Sequence, residues 1–344
     1  LNKIDIIMKK QKIKFILFLA FMLSQFSLYA AGKNPNDTTV VYQVSMDCQK
    51  CKQKIEKNMI THAVIPVAGF GTRMLPLSKA VPKELLPLGN KPAIQYVIEE
   101  AIAAGITNIV LVNHAQKTAI ENYFDINSEL DTQLRAKGKN ELADSLNWLP
   151  DGVSVTSVRQ GKPLGLGHAV LQARAVVGDR PFAVLLPDVI LNPYASDYNT
   201  HNLAFMLQAF CNYQHSQILV DPVAEADIHK YGIAKLKSAQ IIEKTAANQT
   251  FAVTGFVEKP KAEVAPSNLA VVGRYVFNNA IFDYLETTKP SVGGEIQLTD
   301  AIDALIATQG VDVVSMVGNS FDAGDMTSYM QAFCYFADKF ENSH

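Results

Sequence analysis

At 344 residues the chain is long enough for one large domain or two smaller ones. Its content of 48% hydrophobic and 19% charged residues is typical of a globular protein and excludes a disordered or fibrous chain. Residues 1–58 carry ten lysines against four acidic residues, whereas the remainder carries 21 basic residues against 29 acidic ones. A body with this acidic excess is a poor general binder of nucleic acid, so any anion must be held at a local site.

Residues 8–31 have the layout of a secretory signal. A lysine-rich start precedes an apolar run at 15–23, and the small residues Ala30 and Ala31 follow it. The run is shorter than the ~18 residues of a membrane span. An amphipathic helix is the alternative, but contiguous apolar residues fit it poorly.

Residues 38–58 contain a strand-like alternation followed by an M-x-C-x-x-C loop with Cys48 and Cys51. Two thiols at this spacing suit a soft ion such as Cu(I), and the segment resembles the first half of a heavy-metal-associated domain. The similarity stops near Asn58, and so small a half-sheet is not expected to fold alone. The alternative that we favour is a tail with two exposed thiols.

The chain is therefore predicted to consist of a foreign prefix, 1–58, and a single domain, 59–344. Met59 reads as a fresh start, which indicates a fusion, a misassembled gene or a misassigned start codon.

A short block at 63–73 reads A-V-I-P-V-A-G-F-G-T-R and predicts a buried strand that ends in a glycine turn. Gly69 and Gly71 lack a Cβ, so their backbone N–H groups can approach an anion closely. Arg73 and, ten residues later, Lys83 in P-K-E-L-L-P supply fixed positive charge for a polyphosphate.

The rest of the body alternates apolar strands with helices. Strands are predicted at 108–113, 153–158, 182–186, 216–221, 252–258, 270–277 and 311–317, and helices at 92–102, 167–177 and 297–307, with polar helices within 115–150. This alternation predicts an α/β fold with a doubly wound, mostly parallel, Rossmann-like sheet and helices on both faces. In such sheets ligands bind at the carboxyl ends of the strands.

Two carboxylates are candidate ligands for Mg²⁺, which prefers oxygen and bridges substrate phosphates. Asp188 directly follows the strand at 182–186, and Asp322 lies on a glycine turn. A turn-forming role is the alternative for each of them. The body has no G-x-S-x-G, no H-E-x-x-H and no C-x-x-C, which disfavours covalent nucleophilic catalysis and a zinc site.

Two further segments offer polar groups. The glycine-rich connection at 158–168 carries Gln160, whose amide suits a flat base edge, although a plain turn with a packing His168 explains it equally well. Glu258 offers acceptors for sugar hydroxyls and Lys259 a point charge for a phosphate, with a surface ion pair as the alternative.

Taken together, these blocks resemble the sugar nucleotidyltransferases, and among them the bacterial UTP–glucose-1-phosphate uridylyltransferases, over residues 59–340. The motifs that carry the resemblance lie at 63–73, 82–87, 158–170, 186–191, 257–275 and 294–300. It implies an enzyme that converts UTP and glucose 1-phosphate into UDP-glucose and pyrophosphate with Mg²⁺.

For the nucleotide, the resemblance implies a loop that includes Gly71 and Thr72. It further implies these roles: Ala68 and Gly69 cradle the nucleoside, Gln160 and Gly165 recognise uracil, and Arg73 and Lys83 hold the phosphates that leave as pyrophosphate.

For the cation and the sugar phosphate, it implies that Asp188 binds Mg²⁺ with Asp322 as a less certain partner. Glu258 and Gly232 would contact the sugar, and Lys259 its phosphate. The resemblance also implies a homodimer or homotetramer, although the chain ends sooner than many relatives.

Two alternatives remain at this point. One is a sugar-1-phosphate thymidylyltransferase, against which stand the absence of L-A-G-G-x-G-T-R and the Pro187-Asp188 pair in place of G-D. The other is an exported metal-binding protein, suggested by the prefix, but UTP would be scarce outside the cell. We therefore expect a cytoplasmic enzyme whose body contacts neither nucleic acid nor a membrane.

Overall fold

The computed structural model describes residues 26–30, 42–46, 59–238, 242, 244, 246–291 and 293–342. The chain divides into two compact units, Leu1–Met59 and Ile60–His344. In the first unit, β1 (Phe26–Ala30) pairs antiparallel with β2 (Tyr42–Met46). The rest of the signal-like segment, Cys48 and Cys51 lie outside the described residues.

The second unit contains the following strands and helices within the part of the chain that the structure describes. The strands are β3 (His62–Pro66), β4 (Pro87–Leu88), β5 (Lys91–Pro92), β6 (Asn108–Asn113), β7 (Ser154–Arg159), β8 (Phe182–Leu185), β9 (Val189–Leu191), β10 (Ser216–Pro222), β11 (Gly232–Leu236), β12 (Thr250–Glu258), β13 (Leu269–Phe277), β14 (Val311–Ser315) and β15 (Ser320–Asp322). The helices are α1 (Ala93–Ala103), α2 (Thr118–Phe124), α3 (Ser128–Ala136), α4 (Asn140–Leu146), α5 (Gly165–Gln172), α6 (Arg174–Val177), α7 (Leu203–Tyr213), α8 (Ile281–Thr287), α9 (Leu298–Gln309) and α10 (Met326–Glu341).

The central sheet has the strand order β10-β14-β12-β11-β13-β8-β3-β6-β7. Its first half, β7-β6-β3-β8, is parallel, with β3 between β6 and β8. Alternate residues of β3 enter opposite cores, since Ala63 and Ile65 pack with α1 whereas Val64 packs with α5 and α8. Helices therefore cover both faces of the sheet, and the predicted α/β fold is confirmed.

The second half of the sheet is mixed rather than mostly parallel. Strand β13 runs antiparallel to β8, β10 and β11, and β12 runs antiparallel to β11 and β14, whereas β10 and β14 are parallel. A buried apolar run predicts a central strand but not the direction of its neighbours, because direction depends on the connections. For this reason, sequence analysis predicted more parallel strand pairs than the sheet contains.

The short elements escaped sequence analysis. Strands β9 and β15 have three residues each and form a separate antiparallel ladder in which Val189 faces Asp322. This ladder lies beyond the carboxyl end of β8 and positions both candidate metal ligands, because Asp322 is the last residue of β15 and Asp188 directly precedes β9. Among the described residues, the helices are all too short or too polar to cross a bilayer.

Candidate active site

A cavity of about 500 Å³ opens at the carboxyl ends of the parallel strands. It brings together eight of the predicted site residues from four separate segments of the chain. These lining residues are Ala68, Gly69, Thr72, Arg73, Lys83, Gln160, Gly165 and Asp188. Parallel strands place their following loops at one edge, which is why these distant segments meet here.

The glycine loop follows β3 and forms one wall of the cavity. Gly71 has a φ of 66°, in the left-handed region, and precedes a single 3₁₀ turn, Thr72–Met74. The Ser78 hydroxyl donates to the Gly71 carbonyl at 2.8 Å and holds the loop in shape. Gly71 thus shapes the loop without lining the cavity, whereas a Cβ at Gly69 would meet no protein atom within 4 Å.

Lys83 and Asp188 form an ion pair inside this cavity, with Nζ 2.5 Å from Oδ2. Burial opposes the charged carboxylate of Asp188, but the lysine beside it, its hydrogen bonds and the more distant Arg73 outweigh burial and lower its pKa. Asp188 is therefore ionised at neutral pH, as a ligand for a hard cation must be.

Gly324 marks the place where Arg73, Asp188 and Asp322 converge. A Cβ on Gly324 would lie 2.8 Å from Asp322 Oδ1, 2.9 Å from Arg73 Nη2 and 3.1 Å from Asp188 Oδ2. The Gly324 N–H also donates to Asp322 Oδ1 at 2.6 Å. The two carboxylates and the guanidinium thus surround one small volume that only a glycine leaves open.

The pKa of Asp322 is shifted in the opposite direction from that of Asp188. Burial raises it first, and the negative charge of Asp188 raises it further, against the Gly324 hydrogen bond and Arg73. Among the described residues, the structure shows no group of three or more His, Cys, Asp and Glu side chains suited to a metal. A cation here would have two protein carboxylates and would need further oxygens from substrate phosphates, which is how Mg²⁺ is commonly bound.

A buried lysine links the glycine loop to the segment that contains Lys83. Lys117 Nζ donates to the Val67 carbonyl at 2.8 Å and to both oxygens of Glu84 at 3.0 and 2.9 Å. Val67 begins the glycine loop, and Glu84 follows the predicted phosphate-binding Lys83. Burial raises the pKa of Glu84 and lowers that of Lys117. Sequence analysis missed Lys117, because its position in a polar helical segment gives no sign of its buried partner.

Gln160 is buried at the opposite wall. Its Nε2 lies 3.1 Å from the Gly165 carbonyl, to which it donates, and 3.0 Å from Nδ1 of His168. Burial lowers the pKa of His168, which favours a neutral ring that accepts at Nδ1. In that arrangement both N–H groups of the Gln160 amide are used, and its Oε1 remains as an acceptor for a ligand.

A second cavity of about 190 Å³ adjoins the first. Leu166 and Leu186 line both cavities, so the two are neighbours. The second cavity contains Gly232 and Glu258, which face each other across the antiparallel pair β11–β12. The residues predicted to contact a nucleotide and a sugar are thus separated into adjoining spaces.

Lys259 lies at the rim and lines neither cavity. Its side chain is 62% exposed, with Nζ 3.4 Å from Glu258 Oε1, and its backbone has a φ of 47°. The backbone N–H of Lys259 donates to the Tyr231 carbonyl at 3.0 Å, which holds this left-handed residue in place. A non-glycine residue in that region costs conformational energy and often marks a functional position.

Several lining residues come from the motif at 294–300, to which sequence analysis assigned no role. Glu295 lines the first cavity, and Gln297 and Thr299 line the second. The segment is held against the start of α5, where the Gly167 N–H donates to the Ile296 carbonyl at 2.9 Å. The polar residues of this motif, which had no assigned role, were the signal from which a site function could have been predicted.

Comparison with known proteins places this site in a family. The family model described as "Nucleotidyl transferase" matches residues 62–339, which is most of the chain. The chain belongs to this family. A UTP–glucose-1-phosphate uridylyltransferase of Escherichia coli is 53% identical over 275 residues, covering 80% of this chain and 89% of the relative. That of Haemophilus influenzae is 50% identical over 280 residues, covering 81% and 94%.

Solved structures agree with the sequence relatives. The UTP-bound UGPase from Acinetobacter baumannii superposes with a TM-score of 0.75 at 43% identity, covering 83% of this chain and 98% of that one. A putative glucose-1-phosphate thymidylyltransferase from Bacillus anthracis has a TM-score of 0.61 at 24% identity, over 80% and 95% of the two chains, which shows a shared fold alone. The predicted membership of the sugar nucleotidyltransferases is confirmed.

Proposed function

We propose that this protein transfers a uridylyl group from UTP to glucose 1-phosphate, which gives UDP-glucose and pyrophosphate. The observation that carries the proposal is the pair of adjoining cavities, one lined by the glycine loop, Arg73 and Lys83, and the other by Gly232 and Glu258. The names of the relatives at 50–53% identity support the same reaction.

The reaction needs no general base, because the phosphate of the sugar is already a nucleophile at neutral pH. The chain has to align this phosphate with the α-phosphate of UTP and to stabilise the charge that develops on pyrophosphate. In our assignment Arg73 and Lys83 hold the leaving phosphates, and Lys259 directs the sugar phosphate from the opposite side.

The binding of each substrate follows from the same geometry. Ala68 and Gly69 support the nucleoside through their backbone, and the free Oε1 of Gln160 accepts from the N3–H of uracil. Cytosine has no hydrogen at N3, so this acceptor would disfavour it. Glu258 accepts from sugar hydroxyls beside Gly232, where a larger residue would fill the space.

Asp188 and Asp322 fit a divalent cation, since an oxygen of each approaches the same point beside Gly324, Asp322 Oδ1 at 2.8 Å and Asp188 Oδ2 at 3.1 Å from the position of a Cβ there. We propose Mg²⁺, which would neutralise phosphate charge there and orient the triphosphate. Because the reaction uses UTP, we also propose a cytoplasmic enzyme, and from the family a homodimer or homotetramer.

The proposal is tested by pyrophosphate release from the purified full-length protein. We expect rapid release with UTP, glucose 1-phosphate and Mg²⁺ together, and little with any one omitted. dTTP in place of UTP separates the thymidylyltransferase alternative, because equal rates with both nucleotides would contradict the assigned uridine preference. Galactose 1-phosphate in place of glucose 1-phosphate measures the strictness for the sugar.

A further inference from the structure

Arg274 on β13 is the largest completely buried side chain among the described residues, and the reaction proposed above gives it no part. It forms an ion pair with Glu100 of α1, whose side chain is 2% exposed. A charged pair at this depth loses its hydration on folding and often stabilises a protein no more than apolar residues would. Its presence therefore calls for a reason beyond stability.

The hydrogen bonds of the guanidinium use all five of its N–H groups. Nε donates to Glu100 at 3.0 and 3.1 Å, and Nη2 donates to Glu100 Oε2 at 2.8 Å. The other donors go to the backbone, with Nη2 2.7 Å from the Val189 carbonyl and Nη1 3.2 Å from the carbonyls of Leu186 and Gly273.

Two of those carbonyls, of Leu186 and Val189, lie directly before and after the pair Pro187-Asp188. One side chain thus fixes both ends of the turn that carries Asp188. Val189 is also paired with Asp322 in the β9–β15 ladder, and the Ala323 N–H donates to the Asp188 carbonyl at 2.7 Å. The hydrogen bonds of Arg274 are therefore linked through the backbone to both Asp188 and Asp322.

We propose that Arg274, neutralised by Glu100, is a positioning residue that sets the geometry of Asp188 and Asp322 at the divalent-cation and polyphosphate site. The inference rests on the proposed function for the role of those two carboxylates. A lysine cannot replace the arginine, because an ammonium has three donors and no planar fork that reaches a carboxylate and two backbone segments at once.

The competing explanation is that the ion pair only fastens α1 to the sheet. In that case Arg274 variants would lose stability alone, and the site would keep its affinity for cations once the protein is folded. The two explanations differ most for the double variant Arg274→Met, Glu100→Leu. It replaces the ion pair by apolar residues and leaves no unpaired charge, while the carbonyls of Leu186, Gly273 and Val189 lose their side-chain donor.

The experiment measures Mn²⁺ binding to the full-length protein in the presence of UTP, by the loss of the free Mn²⁺ paramagnetic resonance signal. Glucose 1-phosphate is omitted, so no turnover is needed. We expect R274K and the double variant to bind Mn²⁺ at least about tenfold more weakly than the wild type, while thermal unfolding shows that the double variant is fully folded at the assay temperature.

Leu305→Ala is the matched control, because Leu305 is fully buried in the core that contains α9, whereas α1 packs in the other core. It should lower the melting temperature and leave Mn²⁺ affinity unchanged. Wild-type Mn²⁺ affinity in the double variant, or an equal loss of affinity in Leu305→Ala, would overturn the proposal. The proposed function fails separately, if the wild type binds Mn²⁺ and UTP but releases no pyrophosphate.

Steady-state kinetics give a second, independent readout. R274K should lower kcat about tenfold or more, while KM for glucose 1-phosphate changes less than threefold, because neither Asp188 nor Asp322 lines the second cavity. A rise in the KM for glucose 1-phosphate with unchanged kcat would also contradict a positioning role.

Discussion

The two cavities of the site are built in different ways. Two largely buried ion pairs lie at the larger cavity, Lys83 with Asp188 and Lys117 with Glu84, whereas its Arg73 is exposed. In the smaller one, Glu258 and Lys259 lie on an antiparallel pair and at its rim, with most of the lysine exposed. The two buried ion pairs hold the proposed nucleotide side in a fixed arrangement, whereas the lysine of the proposed sugar-phosphate side has freedom to follow a ligand.

This difference indicates what a preorganised charge and an exposed charge each contribute to the reaction. A preorganised charge stabilises a transition state without reorganising when charge develops, which suits the departing pyrophosphate. An exposed lysine gives less of this benefit, but it can reach a substrate that has to enter the site and leave it as product. The following predictions test this contrast, beginning with the largest expected effect.

Lys83→Ala removes the cation that pairs with Asp188 in the larger cavity. We expect kcat to fall about 10²- to 10³-fold, because a preorganised cation would no longer face the leaving phosphates. Steady-state pyrophosphate release measures the change. Lys79→Ala is the matched control, since Lys79 is an exposed lysine on the same loop and lines neither cavity. Equal kinetics for Lys83→Ala and Lys79→Ala would contradict the catalytic role assigned to the paired lysine of the larger cavity.

Lys259→Ala tests the exposed lysine beside the smaller cavity. We expect kcat/KM for glucose 1-phosphate to fall about 10²-fold, the value of a lost charge-assisted interaction, while UTP affinity stays within about twofold. Initial rates and equilibrium UTP binding measure the two quantities.

Lys261→Ala provides the control for Lys259, because it removes a neighbouring exposed lysine that lines neither cavity. Near-normal turnover of Lys259→Ala would show that its assigned role is wrong. A parallel loss of UTP affinity would show that the two cavities are not functionally separate.

Gly69→Ala probes the open wall of the nucleotide cavity. The added Cβ meets no protein atom within 4 Å, so the melting temperature should not change. We expect KM for UTP to rise about tenfold, because the methyl group would occupy space meant for the nucleotide. Gly293→Ala, at another unobstructed glycine that lines neither cavity, should leave both quantities unchanged. Unaltered UTP kinetics in Gly69→Ala would mean that the nucleotide does not approach this backbone.

The opposite pKa shifts of Asp188 and Asp322 predict opposite effects on stability. The pKa of Asp188 is lowered, so its carboxylate stabilises the fold above the pKa of an unfolded aspartate, and this is lost as pH falls through the lowered value. The pKa of Asp322 is raised, so its ionised form destabilises the fold at neutral pH, and this penalty disappears as pH falls through the raised value.

We therefore expect Asp188→Asn to lower the melting temperature at neutral pH and Asp322→Asn to raise it by a few degrees, with both losing activity. The gain in Asp322→Asn should shrink as the pH is lowered. Thermal unfolding between about pH 3 and pH 7 measures this, because the range includes the ordinary aspartate pKa of about 3.9. A destabilised Asp322→Asn at neutral pH would contradict the raised pKa.

The sequence by itself determined the parts that depend on local pattern. Apolar runs identified β3, β6, β8, β10 and β13 within one or two residues, and the glycine block predicted the loop before Arg73. Three-residue strands such as β9 and β15 carry too little periodicity to be found, although they place Asp188 beside Asp322. Strand direction in the second half was also beyond sequence, because it depends on the connections between strands.

Only the tertiary structure decided how the charged groups are partnered. Arg274 lies in a quoted motif and Glu100 in a predicted helix, 174 positions apart along the chain, and neither residue type nor spacing indicates that they meet. The same holds for Lys117 with Glu84. A motif names the groups that can bind a ligand, whereas the buried contacts that orient them arise only when the sheet brings distant segments together.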